Sequence, residues 1–119
     1  MIAYFYINRD DAETAAECGL KLSIHGEDIL AERDHPMRAI RALLSPKDDM
    51  PKYNDESLAC LKLDIPGDKL LVAEGMYLET GNRAWFEKSV MHAENYIFGT
   101  YRKPYYLLTF TVSSEYIGI

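Results

Sequence analysis

The amino-acid sequence predicts an α+β fold, with one domain over residues 1–119, a mixed or antiparallel sheet and about three helices. Three observations favour this fold class. Several stretches alternate apolar and polar residues as strands do, others repeat apolar residues at helical spacing, and the strand-like stretches are not regularly separated by helices. In addition, 119 residues are enough to bury one hydrophobic core and too few for two.

The amino terminus predicts a strand followed by a helix. Residues 1–8 alternate Tyr4 and Tyr6 against smaller apolar residues, which is typical of a strand. Asp10 is expected to cap a helix over residues 11–18. Gly19 is placed to end that helix, and a short strand is expected over residues 20–24.

The next segments predict a second helix and a surface loop. Met37, Ile40 and Leu43 recur at helical spacing, so we expect a helix over residues 27–45, with Asp34 as a possible cap. Residues 45–56 are polar and twice interrupted by proline, which favours a loop. A loop of this length suggests a lid or a partner contact as a hypothesis.

Two strands are predicted after the loop. Residues 59–65 alternate apolar and polar side chains, and residues 69–73 form another strand candidate. The turn at residues 66–67 fits either a tight hairpin or a connection between strands that are not adjacent.

The carboxyl-terminal third predicts a helix and a long strand. Asn82 can cap a helix whose apolar stripe, from Trp85 to Ile97, would end at Gly99. Residues 103–119 are dense in β-branched and aromatic residues, so we expect one core strand there. Tyr105 and Leu107 would lie on one face of it, opposite Tyr106 and Leu108.

Composition argues against several functional classes. The net charge of −6 disfavours broad nucleic-acid binding, which needs a basic surface. The sequence lacks an apolar run long enough to cross a bilayer and a signal-like amino terminus, so we expect a cytoplasmic protein without membrane association. Cys18 and Cys60 lack metal-site spacing and are expected to be buried free thiols.

Sequence motifs for common chemistries are also missing. The sequence contains no phosphate-binding glycine motif and no metal-ligand spacing, so we expect no metal. His25, His35 and His92 lie outside the usual catalytic patterns, although a triad could still assemble in space. The nine tyrosines fit either core-edge packing or a cleft that stacks a planar ring such as a nucleobase or nicotinamide.

Three stretches carry a family resemblance. They are YFYINRDDAETAAECGL at residues 4–20, GMYLETGNRAWFEKS at residues 75–89 and KPYYLLTFTVSSEYIG at residues 103–118. In this order they resemble the first strand and helix, the loop that ends in Asn and opens a helix, and the terminal strand of ADP-ribosyltransferase-like proteins. The similarity is to the DarT-type DNA ADP-ribosyltransferases and the RNA 2′-phosphotransferases.

The resemblance implies NAD as the cofactor and a tyrosine-lined cleft as its site. The implied ligand-binding residues are Tyr6, Asn8, Tyr77, Asn82 and Tyr105. On alignment, Tyr6 and Asn8 replace the family's histidine and threonine.

Tyr105 stands where the family carries its catalytic glutamate, so another carboxylate would have to serve. Glu79 and Glu94 are the candidate catalytic residues.

Three interpretations remain open at this point. The chain is an active ADP-ribosyltransferase-like enzyme that uses a relocated carboxylate, or a non-catalytic module of the same fold that binds a nucleotide or a protein, or an unrelated α+β domain. A protein partner or a homo-oligomer is compatible with each of them.

Overall fold

The computed structural model describes residues 1–32 and 35–119, and the side chains of residues 1–30 and 37–119. Within these ranges the chain forms eight strands and five short α-helices. In chain order they are β1 (Ile2–Asn8), α1 (Ala12–Cys18), α2 (Leu22–His25), β2 (Glu27–Glu32), β3 (His35–Ala42), α3 (Met50–Tyr53), β4 (Leu58–Asp64), β5 (Leu71–Glu74), α4 (Met76–Glu79), α5 (Arg83–Ser89), β6 (Met91–His92), β7 (Pro104–Leu108) and β8 (Ile117–Gly118). None of the described helices has the length and apolar character needed to span a membrane.

The strands form two antiparallel sheets. One has the order β1-β4-β8 and the other the order β2-β3-β7-β5-β6. The two sheets meet where Leu43, just after β3, pairs with Tyr4 of β1 through two backbone hydrogen bonds of 2.9 and 2.8 Å. The predicted α+β class is confirmed, and the sheets are antiparallel.

Two hydrophobic cores flank the five-stranded sheet. Between the sheets, Ile40, Val72 and Tyr106 pack with side chains of β1 and β4. On the other face, Leu107 packs against Phe86 of α5. Since successive side chains of a strand point to opposite faces of the sheet, neighbouring residues of β7 pack in different cores. The predicted assignment of Tyr105 and Tyr106 to opposite faces is therefore confirmed.

The predicted helix over residues 27–45 is wrong, because this segment forms the antiparallel pair β2–β3. Strand β3 contributes side chains to both cores, with Ile40 and Ala42 in one and Ala39 in the other. A strand that is covered on both sides shows no alternation, and its apolar run can be mistaken for helical spacing. The predicted cap at Asp34 lies outside the described residues.

The first helix is confirmed as α1, but its predicted cap is not. Asp10 lies inside a 3₁₀ turn over Arg9–Asp11, and α1 has no side-chain cap. Gly19 ends the helix as expected, with a φ of 90°. A Cβ at this position would also lie 2.6 Å from the Val112 carbonyl oxygen, so only glycine fits.

The predicted strand over residues 20–24 is wrong, because α2 occupies Leu22–His25. Leu20 makes a single bridge to Val112 and the chain then turns into the helix. Helix α2 places the His25 ring edge-on to Phe5, with 5.7 Å between the ring centroids. Burial there lowers the pKa of His25, an effect opposed by Asp11.

We expect the protein to lose stability between neutral and mildly acidic pH through His25. Since its folded-state pKa lies below the unfolded value of about 6.5, the unfolded chain takes up the proton first as the pH falls. The contribution of neutral His25 is complete above that value and is lost below it. Melting temperatures at pH 7.5 and 5.5, each about 1 unit from the unfolded-state pKa, test this prediction. The melting temperature of His25→Gln should fall less over the same interval. An equal fall in both proteins contradicts the prediction.

The predicted helix from Asn82 to Ile97 is too long, since α5 ends at Ser89. The Asn82 cap itself is confirmed, because its side-chain oxygen accepts the Trp85 N–H at 3.2 Å. The Ser89 hydroxyl donates to the Phe86 carbonyl at 2.6 Å and accepts from the Glu74 N–H at 2.9 Å. These bonds tie the helix end to β5, and the chain leaves to form β6.

The predicted strand over residues 103–119 is likewise too long. Strand β7 stops at Leu108, Val112 makes only the single bridge to Leu20, and residues 117–118 pair as β8 on the other sheet. Between them Thr111 accepts the Leu22 N–H at 3.1 Å. The chain between β7 and β8, which is rich in β-branched residues, thus connects one sheet to the other. Strands β4 and β5 also lie in different sheets, so the turn at residues 66–67 forms no hairpin.

Candidate functional site

A groove lies over the face of β1 and β4 that points away from the core. Ala3 and Ile7 of β1 are buried in the core, so the alternate side chains Tyr4 and Tyr6 point outward. The register pairs Tyr4 with Lys62 and Tyr6 with Cys60. Directly opposed residues share a face, so these four side chains form the floor of the groove.

The segment 45–56 forms one wall of the groove. Ser45 and Asp48 make a capping box around a 3₁₀ turn, and Asp49 caps α3 through the Lys52 N–H at 3.2 Å. The Tyr6 hydroxyl donates to the Pro46 carbonyl at 2.7 Å. The segment predicted as a loop is therefore ordered by local caps and fixed over the tyrosines.

The larger compartment of the groove has a volume of about 490 Å³ and is lined by cationic and aromatic side chains. Arg9, Lys52 and Lys62 contribute positive charge, and Tyr53, 48% exposed, contributes an aromatic ring. The Arg9 guanidinium donates to two neutral acceptors, the carbonyls of Glu56 at 3.0 Å and Leu58 at 3.2 Å. Its charge is thus positioned without being neutralised by these bonds.

Carboxylates also line this compartment, at Asp55 and Glu56. Asp55 accepts both the backbone N–H and the hydroxyl of Ser57, at 2.9 and 2.6 Å. These hydrogen bonds lower the pKa of Asp55. Its acceptor capacity is therefore partly used within its own turn.

The smaller compartment, of about 110 Å³, adjoins the larger one. Tyr4, Tyr6 and Lys52 line both compartments, and Arg41, Asp49 and Tyr105 are among the other residues that line the smaller one. Two of the residues implied by the family resemblance, Tyr6 and Tyr105, are thus brought together.

Tyr105 is fixed as a wall of this compartment. The Arg41 guanidinium carbon lies 4.9 Å from the centre of its ring, which is within cation–π distance. Arg41 also donates two hydrogen bonds to the Glu27 carboxylate, at 3.0 and 2.9 Å. Gly75 packs against the same ring, because a Cβ there would lie 2.2 Å from a Tyr105 ring carbon.

Two acidic side chains on the groove floor, the Tyr6 phenol and the Cys60 thiol, are held in their neutral form. Burial, with smaller contributions from Cys60 and Asp49, raises the pKa of Tyr6 to about 12. Burial also raises the pKa of the Cys60 thiol. Since a thiolate and not a thiol is the nucleophile, the raised pKa makes Cys60 less reactive than an ordinary cysteine at neutral pH.

The other residues implied by the resemblance lie away from the groove or serve local structure. Asn8 ends β1 opposite Leu58 and is exposed. Asn82 caps α5. Tyr77 lines a separate cavity and lies beside Trp85, with ring centroids 6.2 Å apart.

Neither predicted catalytic carboxylate lines the groove. Glu79 ends α4 and forms an ion pair with Lys103. Glu94 lies in a 3₁₀ turn next to Gly67. In the described part of the chain, no three His, Cys, Asp or Glu side chains cluster closely enough to hold a metal ion.

Several groove residues were not predicted from the sequence. Lys52, Tyr53 and Lys62 were missed, and Cys60 was expected to be a buried thiol but is only half-buried on the groove floor. The same expectation is wrong for Cys18, which is exposed. The alternation of β1 predicts outward Tyr4 and Tyr6, but their partners depend on a strand register that the sequence does not specify.

No protein-family model, curated protein or solved structure matches the chain.

Proposed function

We propose that this protein binds a small anionic ligand with a planar ring, of the nucleotide class, in the groove over β1 and β4. The observation that carries the proposal is that tyrosine and cationic side chains line the same groove. Tyr4 and Tyr53 stand beside Arg9, Lys52 and Lys62, in a protein whose net charge is −6. Aromatic faces bind rings and cationic groups bind phosphates, so the combination favours a nucleotide.

The size of the groove supports a ligand of this kind. Small-molecule sites commonly measure about 300–1,000 Å³, and the larger compartment, at about 490 Å³, is in that range. The smaller compartment extends the site towards Tyr105 and Arg41. NAD and ADP-ribose are the first ligands to test, because the resemblance to ADP-ribosyltransferase-like proteins implies them.

The proposal is for binding without a covalent step. The pKa values of Tyr6 and Cys60 are raised, so neither provides a base or a nucleophile at neutral pH. Glu79 and Glu94 are not among the residues that line the groove. A transferase activity would need a carboxylate at the ligand, and Asp49 is the one in the compartment that holds Tyr6 and Tyr105.

We expect NAD, ADP-ribose and AMP to raise the melting temperature in a concentration-dependent way, because a ligand that binds only the folded state stabilises it. Lys62→Glu should weaken this binding about tenfold, since it turns an attraction for phosphate into a repulsion. Isothermal titration calorimetry of both proteins measures the difference.

Lys69→Glu is the matched control, because Lys69 is an exposed lysine of the 3₁₀ turn before β5 and does not line the groove. It changes the net charge by the same amount and should leave the affinity unchanged. Equal weakening by the two substitutions would mean that the ligand responds to overall charge and not to the groove. Absence of binding by all three nucleotides overturns the proposal.

A further inference from the structure

A separate cavity of about 440 Å³ lies at the carboxyl end of β5. Glu74, Met76, Tyr77, Thr100, Tyr101 and Arg102 line it. Its most buried lining residue is Glu74, which is 7% exposed and is the one charged or polar residue buried to that degree among the described side chains. A carboxylate is seldom buried without a cation beside it, and here it also borders an open cavity.

Glu74 is held by backbone donors rather than by a cation. One carboxylate oxygen accepts the N–H groups of Met76 at 3.2 Å and Lys103 at 3.0 Å, and the other accepts that of Arg102 at 2.7 Å. A carboxylate oxygen has two acceptor positions, so the second oxygen keeps one position for a further donor. The ion pairs formed by the described residues do not include Glu74.

Two aromatic side chains line the cavity together with this carboxylate. Tyr77 and Tyr101 both line the cavity, and each is packed against a second ring, with centroid distances of 6.2 Å from Tyr77 to Trp85 and 5.1 Å from Tyr101 to Tyr96. The Tyr101 hydroxyl donates to the Ser89 carbonyl at 2.6 Å, which fixes the ring. The negative charge of Glu74 is one of the causes, after burial and Tyr96, that raise the pKa of Tyr101.

We propose that this cavity binds an organic ammonium group, between the rings of Tyr77 and Tyr101 and next to the Glu74 carboxylate. A cation is attracted to aromatic faces and to a fixed negative charge, and an alkylated ammonium also buries its carbon atoms there. Arg102 is exposed at the cavity and opposes a cationic ligand. The effect of removing Arg102 therefore distinguishes a cation site from an anion site.

The test is a ¹H–¹⁵N NMR titration of the full chain with tetramethylammonium chloride, with sodium chloride at equal ionic strength as the reference. We expect saturable shifts at the amides of Met76, Arg102 and Lys103 at concentrations up to about 50 mM, the range of a weak site. Tyr77→Ala should weaken the binding about fivefold, and Arg102→Ala should strengthen it by a similar factor.

Two controls keep the result interpretable. Arg102→Ala changes an exposed side chain, so it gives an answer even if Tyr77→Ala disturbs the fold. Tyr53→Ala, in the groove over β1 and β4, should leave ammonium binding unchanged. The proposal is overturned if tetramethylammonium causes no saturable shifts beyond those of sodium, or if Arg102→Ala weakens the binding. This result is independent of whether the groove binds a nucleotide.

Discussion

Glu74→Ala is expected to lower the free energy of unfolding by about 4 kcal/mol. Its carboxylate accepts three backbone N–H groups, and the segment at Arg102 and Lys103 is attached to β5 through two of them. Hydrogen bonds to a charged acceptor contribute about 1.5–3 kcal/mol each, and their energies are not additive. Alanine would leave all three donors without this partner.

Glu74→Gln removes the charge of the side chain but keeps its shape, so it shows how much of the stability loss is due to the charge. The amide keeps one acceptor oxygen, but its NH₂ group then faces an N–H donor, so we expect a loss of about 2 kcal/mol. Urea unfolding followed by circular dichroism measures both variants.

Glu79→Gln is the matched control for these variants, because Glu79 is a glutamate of the neighbouring helix that is partly exposed and paired with Lys103. Exposed ion pairs contribute about 1 kcal/mol or less, so this variant should remain close to the parent protein. If Glu74→Ala loses no more than Glu79→Gln, the backbone hydrogen bonds of Glu74 do not hold the segment in solution.

The fold was predictable where one face of an element meets water. Strand β1 has Ala3 and Ile7 inside and two tyrosines outside, and its alternation was clear in the sequence. Strand β3 is the opposite case, because both of its faces contribute residues to a core and its sequence has no period of two. The end of α5 at Ser89 is set by contacts with β5, which a local pattern does not contain.

The candidate site was predictable only in part, for a similar reason. Tyr6 and Tyr105, which come from strands of different sheets, were selected from the sequence and do lie in one compartment. Their role in ligand binding stays a prediction. Lys62 and Cys60 join the groove through the register of β4 against β1, and Tyr53 joins it through the packing of α3. Such positions depend on tertiary structure, and single residue types give no signal for them.

Gly75→Ala is expected to destabilise the protein by about 2–3 kcal/mol and to weaken nucleotide binding in the groove. The backbone at Gly75 has φ −67° and ψ −19°, which any residue adopts, so alanine adds no backbone strain. The cost is steric, because the new Cβ would lie 2.2 Å from a Tyr105 ring carbon and 2.7 Å from the Lys103 carbonyl oxygen. Tyr105 would have to move, and it lines the smaller compartment.

A double-mutant cycle with Tyr105→Ala identifies the ring as the cause. Removing the ring relieves the contact with Tyr105 and leaves the one with the Lys103 carbonyl oxygen, so the double variant should lose clearly less stability than the two single variants together, with a coupling of about 1–2 kcal/mol. Thermal unfolding of the four proteins gives the coupling, and calorimetry with AMP gives the affinities. Gly118→Ala is the control, since its nearest contacts lie at 3.9 Å. Additive losses would mean that the clash with the Lys103 carbonyl, and not the position of Tyr105, limits what residue 75 can be.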